Sequence, residues 1–278
     1  MASVNDIVIK IATVNGTGSA SANGLLMKSI FQMGVPVVGK NYFPSNIQGL
    51  PTWYEIRVTG DGYTSRSDRV DLMVAMNAQT YAKDLAEVKA GGWLIYDSTW
   101  PRSSLLDRED VTVLGIPLSK MCNENFDGAR ARILMKNIAY VGAVAALLEI
   151  DLDAITSLLE KTFASKPHLI DSNMKAIRLG YDYARENFVC PLPARVAPLD
   201  KTEGHIVIDG NTAAGLGCMY AGATVGAWYP ITPSTSLMDA FRSFCSKYRV
   251  DEETGKRTYC IIQAEDELAA IGMVLGAT

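Results

Sequence analysis

Histidine and paired cysteine are what this sequence has least of. Its two histidines, His168 and His205, are too few for a histidine-rich metal site. Its five cysteines (Cys122, Cys190, Cys218, Cys245 and Cys260) are odd in number, widely scattered and form no C-x-x-C pair. Zinc sites and iron–sulfur clusters draw ligands from short paired spacings, so neither is expected from this chain alone. The same scatter reads as reduced thiols, not a disulfide scaffold. Positive charge is also short. The 26 Lys and Arg against 30 Asp and Glu leave −4, so no global field draws nucleic acid or anionic lipid. The longest apolar stretch, Ile138–Ile150, contains Gly142 and Glu149 and reads as too short to span a bilayer. The first residues, Met1-Ala-Ser-Val-Asn-Asp, show no basic region leading into an apolar one. The expectation is a soluble, cytoplasmic protein.

What remains is an ordinary globular composition, 48% hydrophobic and 20% charged. The 278 residues suffice for two domains at ~150 residues each. An apolar, β-branched run over 8–14 stops at Asn15-Gly16-Thr17-Gly18. Leu25, Leu26, Ile30 and Met33 then recur with helical spacing. Strand, glycine-rich turn and helix open a nucleotide-binding-like βα unit. Further strands are predicted over 35–39, 53–59, 72–76, 92–97 and 112–116, with a crossover helix over 80–90. That alternation predicts an α/β fold with a mostly parallel sheet. Helices are predicted over 125–150, 151–165 and 171–188. Pro191, Pro193 and Pro198 mark 191–203 as an extended, solvated linker between domains at 1–190 and 204–278. The second domain is predicted to begin with a strand over 205–209 and a helix over 212–222. A helix over 237–248, a strand over 258–263 and an apolar helix from Glu267 follow. A domain this small buries a limited share of its surface, and it reads as truncated or dependent on a partner.

Three segments carry chemistry. The Gly16–Gly18 turn precedes a helix, where free N–H groups and the positive helix end suit an anion. It lacks the third glycine of G-x-G-x-x-G, a Walker lysine and an acid after the next strand, which weakens a dinucleotide reading. An anionic part of another ligand and a plain tight turn both stay open. In Tyr229-Pro230-Ile231-Thr232-Pro233-Ser234-Thr235, two prolines stiffen the backbone around Thr232. Either Ser234 or Thr235 caps the next helix, or the Thr232 hydroxyl meets a carboxylate or phosphate oxygen. Glu265, Asp266 and Glu267 stand between a strand and an apolar helix. Acids are favoured at a helix start for electrostatic reasons alone. Glu267, leading directly into Leu268-Ala269-Ala270, is expected to be the most buried of the three, and a buried carboxylate wants a donor partner.

Together these residues carry a resemblance. Gly210-Asn211, Tyr229–Thr235 and Gln263–Ala270, with Asn15–Ser19 and Pro44–Tyr54, resemble the α subunit of 2-oxoacid:ferredoxin oxidoreductases over the whole chain. The closest type is the 2-oxoglutarate enzyme, whose γ domain is fused ahead of the α domain. The resemblance implies an α/β γ-like domain followed by the start of a pyrimidine-binding domain for thiamine diphosphate. It implies that Thr232 contacts the substrate carboxylate and that Glu267 binds the cofactor aminopyrimidine and is catalytic. It places Mg²⁺ and a [4Fe–4S] cluster on a β subunit, with coenzyme A as co-substrate and ferredoxin as electron carrier. The assembly it implies is a dimer of α–β heterodimers, and the chain reads as an N-terminal portion of the subunit. Two alternatives stand beside it: the same reaction on pyruvate or a branched-chain oxoacid, or a non-catalytic structural or ligand-binding subunit.

Overall fold

A computed structural model describes residues 3–43, 49–100 and 108–278. The chain divides into two compact units, Met1–His205 and Ile206–Thr278.

The first unit is built on a six-stranded sheet. Its strands include β2 (Asp6–Val14), β3 (Val37–Tyr42), β4 (Pro51–Thr59), β5 (Val70–Ala75), β6 (Val88–Asp97) and β7 (Thr112–Ile116), in the order β3-β4-β2-β5-β6-β7. β2, β5, β6 and β7 run parallel, while β4 is antiparallel to both β2 and β3. The expected parallel core is therefore present, widened by an antiparallel pair. Ile7, Ile9, Ile11, Leu72 and Val74 are wholly buried, as strands covered on both faces require.

Helices α1 (Ser19–Gln32), α2 (Tyr81–Glu87), α3 (Leu118–Asn125), α4 (Ala129–Leu148), α5 (Leu152–Thr162) and α6 (Pro167–Asn187) complete this unit. The helix expected over 125–150 is α4, which starts four residues later, because Asn125 closes α3 instead. The chain breaks at Phe126, in extended conformation, and at Gly128, whose φ of 83° no helix adopts. α4 has the length and composition to cross a bilayer, a property the 138–150 reading missed, yet 67% of its apolar window is buried inside this unit. α4 packs on α6 through Gly142 and Gly180. A Cβ at Gly180 would overlap the Ala139 carbonyl, and one at Gly142 the Ile177 carbonyl.

The predicted linker 191–203 is solvated over 198–201 but not over its first half. Leu192, Ala194 and Val196 are buried, and β8 (Ala194–Arg195) pairs with β1 (Ser3–Val4). Leu192 N and Val196 N donate to the Leu147 and Leu148 carbonyls, each at 2.8 Å. Asn5 clasps Ala197 in both directions, at 2.9 and 2.8 Å. Proline does extend this segment, but its side chains and backbone bonds stitch it to the first unit.

The second unit holds α7 (Gly210–Tyr220), β9 (Val225–Trp228), α8 (Ser234–Tyr248), β10 (Cys260–Gln263) and α9 (Glu267–Ala277). The strand predicted over 205–209 does not form. Ile206 and Ile208 are exposed, and Asp209 instead caps α7 by accepting from Thr212 N at 2.9 Å. Met219, Trp228, Met238, Phe241 and Cys245 make the core of this unit.

Candidate functional site

β9 and β10 are parallel neighbours, with Gln263 opposite Trp228. Ala264 N donates to the Trp228 carbonyl at 2.9 Å, so both chains leave the sheet side by side at its carboxyl edge. That edge is where parallel α/β sheets place ligands, because the loops and following helix N-termini converge there. One exit becomes the proline-flanked elbow and then α8. The other becomes the acidic turn and then α9. Between them lies a hollow of about 370 Å³, walled by Ala227, Tyr229, Ile231, Ser234, Glu267, Ala270 and Ile271.

The structure thus brings Glu267 to the elbow, although the two are far apart in sequence. Thr232 is exposed, one residue past Ile231, and its side chain is not part of the hollow's wall. The expected cap of α8 is not made. No side chain takes its first N–H groups; Ser234 Oγ donates to the Ile231 carbonyl at 2.8 Å and Ser236 Oγ to the Pro233 carbonyl at 3.1 Å. These hydroxyls satisfy elbow carbonyls instead.

The three acids divide their roles. Asp266, in extended conformation, caps α9 by accepting from Ala269 N at 2.7 Å. Glu267 is the first helical residue, and among the described residues neither it nor Glu265 has a hydrogen-bond or ion-pair partner. The expected burial of Glu267 is not found. It is exposed, on a helix that packs against β9 without burying any of its own residues. One apolar-walled hollow with one free carboxylate at its rim can hold a flat ring by its face and a ring nitrogen by a shared proton.

In the first unit, Gly16 and Gly18 take φ values of 86° and 81°, left-handed backbone that favours glycine. Gly18 precedes α1 without offering a side-chain cap, so the helix N–H groups stay open. They border a hollow of about 230 Å³ lined by Asn15, Ser19, Asn23, Asn41, Thr52 and Trp53. Its wall is rigidly set. Thr13 Oγ1 donates to Ser19 Oγ at 2.9 Å, Tyr140 OH to Asn23 Oδ1 at 2.7 Å, and Trp53 Nε1 to Asp84 Oδ1 at 2.8 Å. Burial raises the Asp84 carboxyl above its ordinary range, against the lowering effect of its bonds from Thr80 and Trp53. Lys83 lies 4.4 Å from the Trp53 ring centre. Asn23, Asn41 and Asp84 carry no motif and are assembled by strand pairing and helix packing. Of the Pro44–Tyr54 segment, residues 44–48 lie outside the described residues.

Comparison with known proteins bears on both units. The family model described as pyruvate ferredoxin/flavodoxin oxidoreductase matches residues 8–183. The thiamine diphosphate-binding model of the pyruvate flavodoxin/ferredoxin oxidoreductases matches 216–278, which contains the elbow and the acidic turn. The chain is 28% identical over 315 residues to the 2-oxoacid:ferredoxin oxidoreductase 2, subunit alpha, of Aeropyrum pernix, covering 98% of this chain and 49% of that one. It is 24% identical over 307 residues to the 2-oxoglutarate oxidoreductase subunit KorA of Mycobacterium tuberculosis, covering 99% and 45%. Among solved structures, it is similar to the 2-oxoglutarate:ferredoxin oxidoreductase from Magnetococcus marinus with 2-oxoglutarate, coenzyme A and succinyl-CoA bound. The TM-score is 0.81 at 26% identity, over 98% of this chain and 46% of that one. The chain spans about half the length of the curated relatives it matches. A family model that accounts for most of the chain, and a second that falls on the elbow and acids of the smaller unit, lead to one conclusion: this chain belongs to the pyruvate ferredoxin/flavodoxin oxidoreductase family.

Proposed function

We propose that the chain is part of the α subunit of a 2-oxoglutarate:ferredoxin oxidoreductase. The reaction converts 2-oxoglutarate and coenzyme A to succinyl-CoA and CO₂ while two electrons pass to ferredoxin, or runs in reverse. The observation that carries this reading is the meeting of Glu267 and the elbow around one hollow at the carboxyl edge of β9 and β10. The 2-oxoglutarate-specific names of a relative and of a similar structure favour that substrate. A branched-chain oxoacid is the second reading, since a ketoisovalerate oxidoreductase subunit VorA matches over 66% of the chain.

The residues present fit an aminopyrimidine. Ala227, Ile231, Ala270 and Ile271 offer apolar wall, and the Glu267 carboxylate offers one proton-sharing contact for a ring nitrogen. Thiamine diphosphate, when bound, supplies the nucleophilic carbon and the electron sink that decarboxylation of a 2-oxoacid needs. Glu267 would hold the ring and share its proton, selecting the tautomer. Thr232 would give its hydroxyl to the substrate carboxylate. The diphosphate, Mg²⁺ and [4Fe–4S] cluster belong in this reading to a β subunit, in a dimer of α–β heterodimers placed in the cytoplasm. The open N–H groups of α1, with Asn15, Asn23 and Asn41 beside them, suit a phosphate of coenzyme A.

The test is purification of the complete enzyme, assay of its thiamine diphosphate content, and anaerobic rates on 2-oxoglutarate, pyruvate and 2-oxoisovalerate with coenzyme A and ferredoxin. Bound thiamine diphosphate and a preference for 2-oxoglutarate are expected. An enzyme without the cofactor, or with no oxoacid-dependent ferredoxin reduction, would overturn the proposal. A preference for 2-oxoisovalerate would move it to the second reading.

A further inference from the structure

Asn211 has no role in the site so far, yet the structure ties it to the elbow. Its position is fixed from behind. Asp209 accepts from both the amide and the hydroxyl of Thr212, at 2.9 and 2.6 Å, which locks the first turn of α7. These same bonds hold the Asp209 carboxyl below its ordinary range. One turn on, Gly215 lets α7 lie close on α8, since a Cβ there would stand 2.9 Å from Phe241 N. From this base Asn211 Nδ2 donates to the Pro233 carbonyl at 2.8 Å and to Ser236 Oγ at 2.7 Å. An amide nitrogen carries two hydrogens, so both are committed to the elbow. On the other side of Thr232, the Ile231 carbonyl is held by Ser234. Thr232 therefore stands between two carbonyls that side chains pin, one of them from a different helix.

We propose that Asn211 is a positioning residue, clamping the elbow so that the Thr232 hydroxyl is presented to the substrate carboxylate. This rests on the reading of Thr232 given above. The clamp is a small part of the folding energy, because its hydrogen bonds are exposed to competing water. Its effect on presentation is larger, because a misplacement of about 1 Å in a positioning group can cost up to about a hundredfold in rate.

The test is a double-mutant cycle on the complete enzyme, reading KM for the oxoacid and kcat for wild type, Asn211→Ala, Thr232→Val and the double variant. Thr232→Val should raise KM about tenfold, and Asn211→Ala about fivefold in the wild-type background. In the Thr232→Val background, Asn211→Ala should add less than about twofold, because it acts through the missing hydroxyl. Asn211→Asp matches the size of Asn211 but cannot donate to the Pro233 carbonyl, and should reproduce the shift at an unchanged melting temperature. An equal effect of Asn211→Ala in both backgrounds would overturn the clamp while leaving Thr232 in place. So would an unchanged KM in Asn211→Asp beside a raised one in Thr232→Val. If Thr232→Val itself leaves KM unchanged, the reading of Thr232 falls and the clamp with it.

Discussion

Asp266 and Glu267 are adjacent acids with different local duties, and the difference matters for mutagenesis. Asp266 is occupied by the helix it caps, whereas Glu267 and Glu265 are both free among the described residues. Only Glu267 borders the hollow. Under the proposed function, Glu267→Gln keeps the shape but cannot exchange a proton with a ring nitrogen, so kcat of the complete enzyme should fall by roughly a hundredfold or more. Glu265→Gln should change kcat by less than about threefold, since loss of an exposed, unpaired charge leaves the hollow intact. Steady-state kinetics on the two variants decide the assignment; a collapse in Glu265→Gln would shift it by two residues. The acidic cluster and the choice of Glu267 were legible in the sequence, but the capping by Asp266 was not. It follows from which carboxylate the helix start turns toward Ala269 N.

At the scale of elements, α4 and α6 in the first unit pack backbone against backbone. Gly142 and Gly180 face carbonyls of the opposite helix with no room for a methyl group. Alanine in an exposed helix interior would gain about 1 kcal/mol over glycine from propensity. Here the overlap is with backbone, which cannot rotate away, and overpacking costs typically ~1–3 kcal/mol. The steric effect therefore wins. Gly180→Ala should lower the urea midpoint of the chain, and an unchanged or raised midpoint would show that the helices part freely. Helical spacing made α4 and α6 predictable, since local periodicity survives in one dimension. That a glycine in each serves the other did not, because the pairing of distant helices leaves no local pattern. The first half of the 191–203 segment departs from its expectation for the opposite reason. Its prolines do extend the chain, but whether an extended segment is solvated depends on the neighbours that Leu192 and Val196 find.

For the whole molecule, the two units differ in how far they enclose themselves. The first wraps a sheet in helices and buries long rows of Ile, Val and Leu. The second carries a five-residue buried cluster and leaves Leu268 81%, Ile271 54% and Leu275 67% exposed on α9. Catalysis under the proposed function needs groups that a β subunit contributes. The 278-residue chain alone, supplied with thiamine diphosphate, Mg²⁺, coenzyme A and an electron acceptor, should show no oxoacid oxidation. Turnover by this polypeptide alone would refute the division of the site between subunits.

Local sequence by itself determined the α/β class, because alternating apolar runs and helical stripes are properties of neighbouring residues. It also determined the glycine-rich turn before α1, the proline-flanked Thr232 and the acids before α9, since each depends on residues a few positions apart. Tertiary structure alone decided the rest. It inserted the antiparallel β4 into the sheet, turned the predicted strand at 205–209 into exposed chain and placed Glu267 in the open. It also set the elbow, the acidic turn and Asn211 around one sheet edge, through the pairing of β9 with β10 and the close contact of α7 with α8. The physical reason is common to all of these. Burial, strand order and a hydrogen bond between distant residues depend on which surfaces meet, and that is settled only when the whole chain packs.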